Sequence, residues 1–149
     1  MKFFHKSGAI FTIAILLTVV VAYFFILHNK TKDRKIEVET KLTLIKEGKT
    51  FTLSQINLTD NWDSALVIAP YNMDGADRIK MGQAIKSNIK RMALGDEGNC
   101  TLVFTKGGEL VSYAFVPRTN CADFSKLNNI QIYRDEKLCL TRDRVVKKE

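Results

Sequence analysis

The chain has 149 residues, 46% of them hydrophobic, and a formal net charge of +7. That length allots room for one folded domain. Its two histidines are His5 and His28, so everything beyond residue 28 is histidine-free. This excludes Ser-His-Asp and Cys-His catalysis, histidine-bearing zinc sites and the usual proton shuttle near neutral pH.

The first element in chain order is an uncharged run of nineteen residues, Ala9–Leu27 (AIFTIAILLTVVVAYFFIL). As a helix it would extend roughly 28 Å, close to the hydrocarbon thickness of a bilayer. Tyr23, Phe24 and Phe25 stand near its end, where an aromatic belt forms. A cleaved signal is the alternative, with Lys2 and Lys6 as its charged start. The run exceeds the usual core of about 7–15 residues, however, and enters HNKTKDRK without a small-x-small cleavage site. The expectation is therefore a cytoplasmic tail over 1–8, a transmembrane anchor in the lipid bilayer over 9–27, a basic juxtamembrane segment over 28–35 and one domain over 36–149. Two basic residues precede the apolar run (Lys2, Lys6) and four closely follow it (Lys30, Lys32, Arg34, Lys35). The positive-inside rule, applied literally, puts the domain in the cytoplasm. The juxtamembrane cluster and the tail Arg142–Lys148 are both suited to anionic headgroups. No basic stripe is interleaved with stacking aromatics, so no nucleic-acid partner is expected.

Beyond the anchor, Lys35–Ile45 alternates apolar and polar residues, which predicts a strand. Phe51–Ile56 reads as a short extended or loop segment. Ala65–Ala69 is continuously apolar, as in a central strand covered on both faces, and Pro70 ends it. Asp74–Asp77 supplies helix-start signals. Ile79, Ile85, Ile89, Met92 and Ala93 then fall on one face of a helix that Gly95 and Gly98 close. Cys100–Val116 splits at Gly107-Gly108 into a hairpin, pairing Lys106 with Glu109, Phe104 with Val111, Leu102 with Tyr113 and Cys100 with Phe115, in a register expected to be well specified because a one-residue slip would break the apolar pairs. Ala122–Leu127 predicts a helical turn; Ile130–Tyr133 and Lys137–Thr141 predict two short strands. The fold class that results is α+β: an N-terminal transmembrane helix, then an antiparallel-rich sheet with one main helix packed on it.

No P-loop, G-x-G-x-x-G, G-x-S-x-G or EF-hand spacing occurs, so no cofactor is expected. The acidic pairs Asp60/Asp63 and Asp74/Asp77 lie in turn-like sequence, where caps are commoner than catalytic dyads. Cys100, Cys121 and Cys139 are too few for a cysteine-only zinc site, and no metal is expected. In an oxidising compartment Cys100 on the hairpin and Cys121 after the Pro117 corner are the favoured disulfide pair; the alternative is three buried thiols. In WDSALVIAPY, Trp62 and Asp63 enter the buried strand while Pro70 and Tyr71 leave it. Trp and Tyr are common anchors of binding surfaces; the other reading places Trp62 at the end of the core.

Trp62-Asp63, Pro70-Tyr71, the apolar hairpin Leu102–Phe104 with Leu110–Val116, Pro117-Arg118 and Asp123-Phe124 together resemble a set of small bacterial envelope proteins, single-pass or lipid-anchored. That resemblance covers roughly residues 50–127. It implies an inner-membrane protein with a periplasmic domain, against the literal charge rule, and a kinship in size and anchoring with immunity proteins. Trp62, Asp63, Pro70, Tyr71, Arg118, Asp123 and Phe124 become the candidate binding residues. The expected function is a non-enzymatic extracytoplasmic binding protein, an immunity-type inhibitor whose partner is a toxin or envelope component. The alternative is a structural component of a secretion or pilus-like assembly. KSGAIFTIAILL has Gly8 after a short basic leader, as in a prepilin, but Ile13 stands where the acidic residue belongs.

Overall fold

The computed structural model describes residues 14–23, 33–57 and 60–149, and the chain divides into two units, Met1–Lys32 and Asp33–Glu149. In the first, residues 14–23 form a helix (α1) with every residue exposed. The Thr18 hydroxyl donates to the Ala14 carbonyl (2.9 Å), one turn back. Among the described residues no helix is long and apolar enough to cross a membrane. Of the expected anchor, residues 9–13 and 24–27 lie outside the described residues, as do the tail over 1–8 and the basic positions 28–32.

The second unit runs α2 (Lys35–Leu44), β1 (Thr50–Thr52), α3 (Leu53–Ile56), β2 (Ser64–Ile68), a 3-10 turn (Asp74–Arg78), α4 (Gln83–Gly95), β3 (Asn99–Lys106), β4 (Glu109–Pro117), a second 3-10 turn (Ser125–Leu127), β5 (Gln131–Tyr133), β6 (Lys137–Leu140) and β7 (Val146–Lys148). Two antiparallel sheets result, ordered β4-β3-β2-β5 and β1-β6-β7. The expected α+β class holds. The apolar run at Ala65–Ala69 does form a central strand: all five residues of β2 are buried, between β3 and β5.

Both faces of the four-stranded sheet are covered, which explains its near-continuous apolar sequence. On one face Leu66, Ile68, Val103, Leu110, Tyr113 and Phe115 pack against Ile85, Ile89 and Ala93 of α4. On the other, Ala65, Val67, Leu102, Phe104 and Ala114 meet α2, α3 and the small sheet through Val38, Leu42, Leu53, Ile56, Leu138 and Val146.

Three local expectations are corrected. Lys35–Leu44 is helical, not a strand, and Ile45 is its extended C-cap. Val38 and Leu42, one helical turn apart, are fully buried, whereas Ile36 and Leu44 are 81% and 77% exposed, so half of the apparent alternation never meets the core. The Lys41 ammonium pairs with Glu37 across the same turn (3.1 Å). The segment from Asp74 to Gly95 is not one helix. It is a 3-10 turn followed by α4, because Ile79 turns extended and Lys80 joins the hairpin tip: its amide donates to the Gly108 carbonyl (3.1 Å) and its carbonyl accepts from Leu110 (3.0 Å). The hairpin closes at Gly107-Gly108 with Lys106 opposite Glu109 as expected, yet its register shifts at Phe104/Thr105. Val111 is left without a partner, so Phe104, Leu102 and Cys100 face Ser112, Ala114 and Val116 instead of Val111, Tyr113 and Phe115. With both faces apolar, no alternation penalises that one-residue bulge.

The tail folds as well. Val146 is fully buried in β7, the Arg144 guanidinium donates to the carbonyls of Cys121 and Leu42, and Lys148 pairs with Glu136 (2.6 Å). At the other end, Asp33, Arg34 and Lys35 belong to the folded unit rather than to the basic juxtamembrane segment expected over 28–35. Arg34 donates its amide to the Tyr113 carbonyl (2.7 Å), and its guanidinium grips both oxygens of Asp60 (2.8 and 3.0 Å).

Candidate binding site

The seven candidate residues part company in three dimensions. Trp62 is 2% exposed and belongs to the core. Its ring centroid lies 4.9 Å from that of Phe104, its Nε1–H donates to the Asn57 carbonyl (3.1 Å), and the Arg134 guanidinium lies over the ring, 5.1 Å from its centroid. Asp63 is exposed but occupied: its carboxylate accepts from the Gly107 amide (2.8 Å) and the Ser64 hydroxyl (2.9 Å). These bonds, the Gly107 amide first, hold its carboxyl below the ordinary carboxylate range and fasten the hairpin turn to β2.

Arg118, Asp123 and Phe124 are brought together, as a structural corner. The Arg118 guanidinium donates to both Asp123 oxygens (3.0 and 3.2 Å) and to the Glu97 carbonyl (3.0 Å). Asp123 also accepts from the Ser125 amide (2.9 Å), and its own backbone pairs with Arg144 and Val146. Burial would raise its pKa, but the Arg118 and Ser125 bonds outweigh it and hold the carboxyl below its ordinary value. Phe124 is fully buried.

Pro70 and Tyr71 are the pair that the fold turns outward. Tyr71 is 61% exposed and sits at φ 63°, a left-handed conformation that side chains other than glycine rarely adopt. Its amide donates to the Ala93 carbonyl at the end of α4 (2.6 Å). Beside it in the chain Met73 is exposed, as is Leu94, next to Ala93. The loop is rigidly held. Asn128 Oδ1 accepts from the Ala69 amide (3.0 Å) and from Asn72 (2.8 Å), and Arg78 donates to the Asn129 carbonyl (2.9 Å). Gly75 packs so closely that a Cβ there would meet Asn129 Oδ1 at 2.9 Å and Ile68 Cγ1 at 3.0 Å.

A cavity of about 80 Å³ opens on the α4 face of the sheet, towards the hairpin tip. Leu66 of β2 and Ile79 supply its apolar surface; Thr105 of β3, Gln131 of β5, Arg78 and Gly108 complete the lining. Thr105 and Ser64 are hydrogen-bonded to each other (3.0 Å), and Gln131 donates to Ser64 (3.0 Å). None of these residues was a candidate from sequence. They come from four separate segments, and no spacing signals that the sheet face is left open beyond α4.

The expected Cys100–Cys121 disulfide is not formed, and all three cysteines are free thiols. Cys100 lies against Asp123 (3.9 Å) and Cys121 against the Glu39 carbonyl (3.6 Å), so each faces a different partner. Burial, with the Asp123 charge, pushes the Cys100 thiol up to about 12; burial, with Glu39, pushes Cys121 up to about 11. Neither acidic pair forms a carboxylate dyad: Asp60 faces Arg34, and Asp77 faces Lys86 (3.6 Å) and Lys90 (2.6 Å). Among the described residues no cluster of three metal-ligating side chains occurs. Searches against protein-family models, curated proteins and solved structures found no match to this chain.

Proposed function

We propose that this chain is a non-enzymatic binding protein, anchored in a bacterial inner membrane by residues 9–27 with its Asp33–Glu149 unit on the outer side, where it serves as an immunity-type inhibitor of an envelope-acting toxin. The observation that carries the binding role is Tyr71: a large aromatic residue held outward in a costly backbone conformation by a bonded loop, with Met73 and Leu94 exposed nearby. A rigid aromatic of this kind loses little entropy on docking, which is how interface anchors work. The commitments of its buried groups support the non-enzymatic reading: the Cys100 and Cys121 thiols resist ionisation, and Asp60, Asp63 and Asp123 are spent on hydrogen bonds within the fold.

Two measurements test this reading. Alkaline phosphatase and fluorescent-protein fusions after Glu149 report the side of the membrane: an active phosphatase and a dark fluorophore are expected, and the reverse removes the periplasmic role. A photo-crosslinking residue at position 71 should give a discrete adduct with a secreted effector, whereas one at the exposed Lys126 gives none. Equal labelling from both positions, with normal toxin resistance in a strain lacking the chain, refutes it.

A further inference from the structure

We infer that the cavity between Arg78, Thr105 and Gln131 is a receptor for a carboxylate carried on one or two methylenes, supplied by an acidic side chain of the protein partner. The inference deepens the binding reading above and rests on it for the source of that carboxylate.

Size is the first argument. The cavity holds about 80 Å³. Pockets for whole small molecules run to roughly 300–1,000 Å³, so this one takes a side-chain-sized group. The second argument is the lining. Leu66 and Ile79 are nearly buried, 6% and 5% exposed, and offer an apolar surface to a short methylene stem. The Arg78 guanidinium and the Gln131 amide bring donors to the cavity, while the Thr105 hydroxyl donates to the Ser64 carbonyl (3.2 Å) and lends the wall its polarity.

Charge selects the ligand. Arg78 spends one bond on the Asn129 carbonyl, and among the described residues it has no carboxylate partner. The acid next to it in the chain, Asp77, is turned to Lys86 and Lys90 instead. A planar guanidinium with unused donors at the wall of a half-apolar cavity matches a carboxylate in geometry and sign. The walls are also preformed. The Arg78–Ile79 side is bonded to the hairpin tip through Lys80, and Gln131 is tied to Ser64.

The test titrates the full chain in detergent micelles with propionate, then with a blocked Gly-Glu-Gly peptide, and with propylammonium chloride as the ionic control. Methyl resonances of Leu66 and Ile79 are the readout. Propionate and the peptide should both give saturable shifts in the millimolar range, and propylammonium none. Arg78→Gln should weaken binding about tenfold or more, the scale of one charge-assisted hydrogen bond. Because Arg78 also holds Asn129, Gln131→Glu is the second variant. It sets a like charge in the cavity on an exposed edge-strand residue, and it should abolish the propionate shifts. Because it gives up the bond to Ser64, amide changes should be confined to Ser64 and its strand neighbours while the rest of the sheet spectrum stays unchanged. Shifts that follow ionic strength alone, or that survive both variants, overturn the inference. Saturation by propionate without the peptide overturns the protein source. None of these readouts involves position 71, so failure here and failure of the Tyr71 face are separable.

Discussion

Tyr71 occupies a conformation that costs a side-chain-bearing residue about 1–2 kcal/mol. Glycine would escape that cost and lose part of the gain, about 0.5–1 kcal/mol, to its greater freedom in the unfolded chain. Tyr71→Gly should therefore leave stability unchanged or raise it by up to about 1 kcal/mol in urea unfolding, while the crosslinked partner is lost. A clear destabilisation would make Tyr71 a packing residue and remove it from the interface. The cysteines make a second prediction at this scale. A thiol pushed to about 12 from 9.0 has its thiolate fraction at neutral pH cut about a thousandfold. In alkylation followed by mass spectrometry, half-buried Cys139 should react first, with Cys100 and Cys121 labelled only on unfolding. Rapid labelling of Cys100 in the native chain would contradict its burial against Asp123.

Among the elements, α2 departs furthest from its sequence pattern. Ile36, Val38, Leu42 and Leu44 are in phase for a strand, and a strand would bury all four on one face. The helix buries two of them. Leu42→Ala should accordingly cost about 2–5 kcal/mol, and Leu44→Ala, at an exposed position, less than about 0.5 kcal/mol. Equal costs in urea unfolding would restore the strand. The hairpin makes the complementary point: its strands and its Gly107-Gly108 turn follow from composition. The bulge at Val111 does not, because LVSYAFV is apolar on both faces and several registers bury it equally well.

For the whole molecule, two ion pairs brace the fold, one between distant segments and one within a corner. Arg34–Asp60 ties the start of the unit to the loop before β2. Arg118–Asp123 fixes the corner on which β7 is laid. In Asp60, burial pushes the carboxyl up, but bonds from Arg34, Ser112 and Asn57 prevail and hold it below 3.8, as happens at Asp123. A depressed carboxylate binds fewer protons folded than unfolded, so its contribution is complete above the unfolded pKa and lost as pH falls from about 4 through the folded value. Thermal melts should show the wild-type chain losing stability in that window. Asp60→Asn and Asp123→Asn should be less stable at pH 7 and flatter in acid; an unchanged acid slope in both would show that the pairs are not coupled to folding.

The sequence by itself determined the α+β class, the buried central strand with its stop at Pro70, the Gly-Gly hairpin turn, the α4 face and the strands near 131 and 137. Each rests on a local signal: an uninterrupted apolar run, a proline, a glycine pair or helical spacing. The sequence placed Tyr71 at a strand exit but left open whether it faces the core or outward. Tertiary structure alone decided that Trp62 and Phe124 belong to the core, that Arg118 and Asp123 brace a corner, that α2 is helical and that the tail contributes a strand. It also decided where the cavity opens, since Leu66, Arg78, Thr105 and Gln131 meet only once β2, β3 and β5 have paired. The physical reason is common to all of these. A side chain's burial and partners depend on which distant surface arrives beside it, and no pattern of neighbours along the chain carries that information.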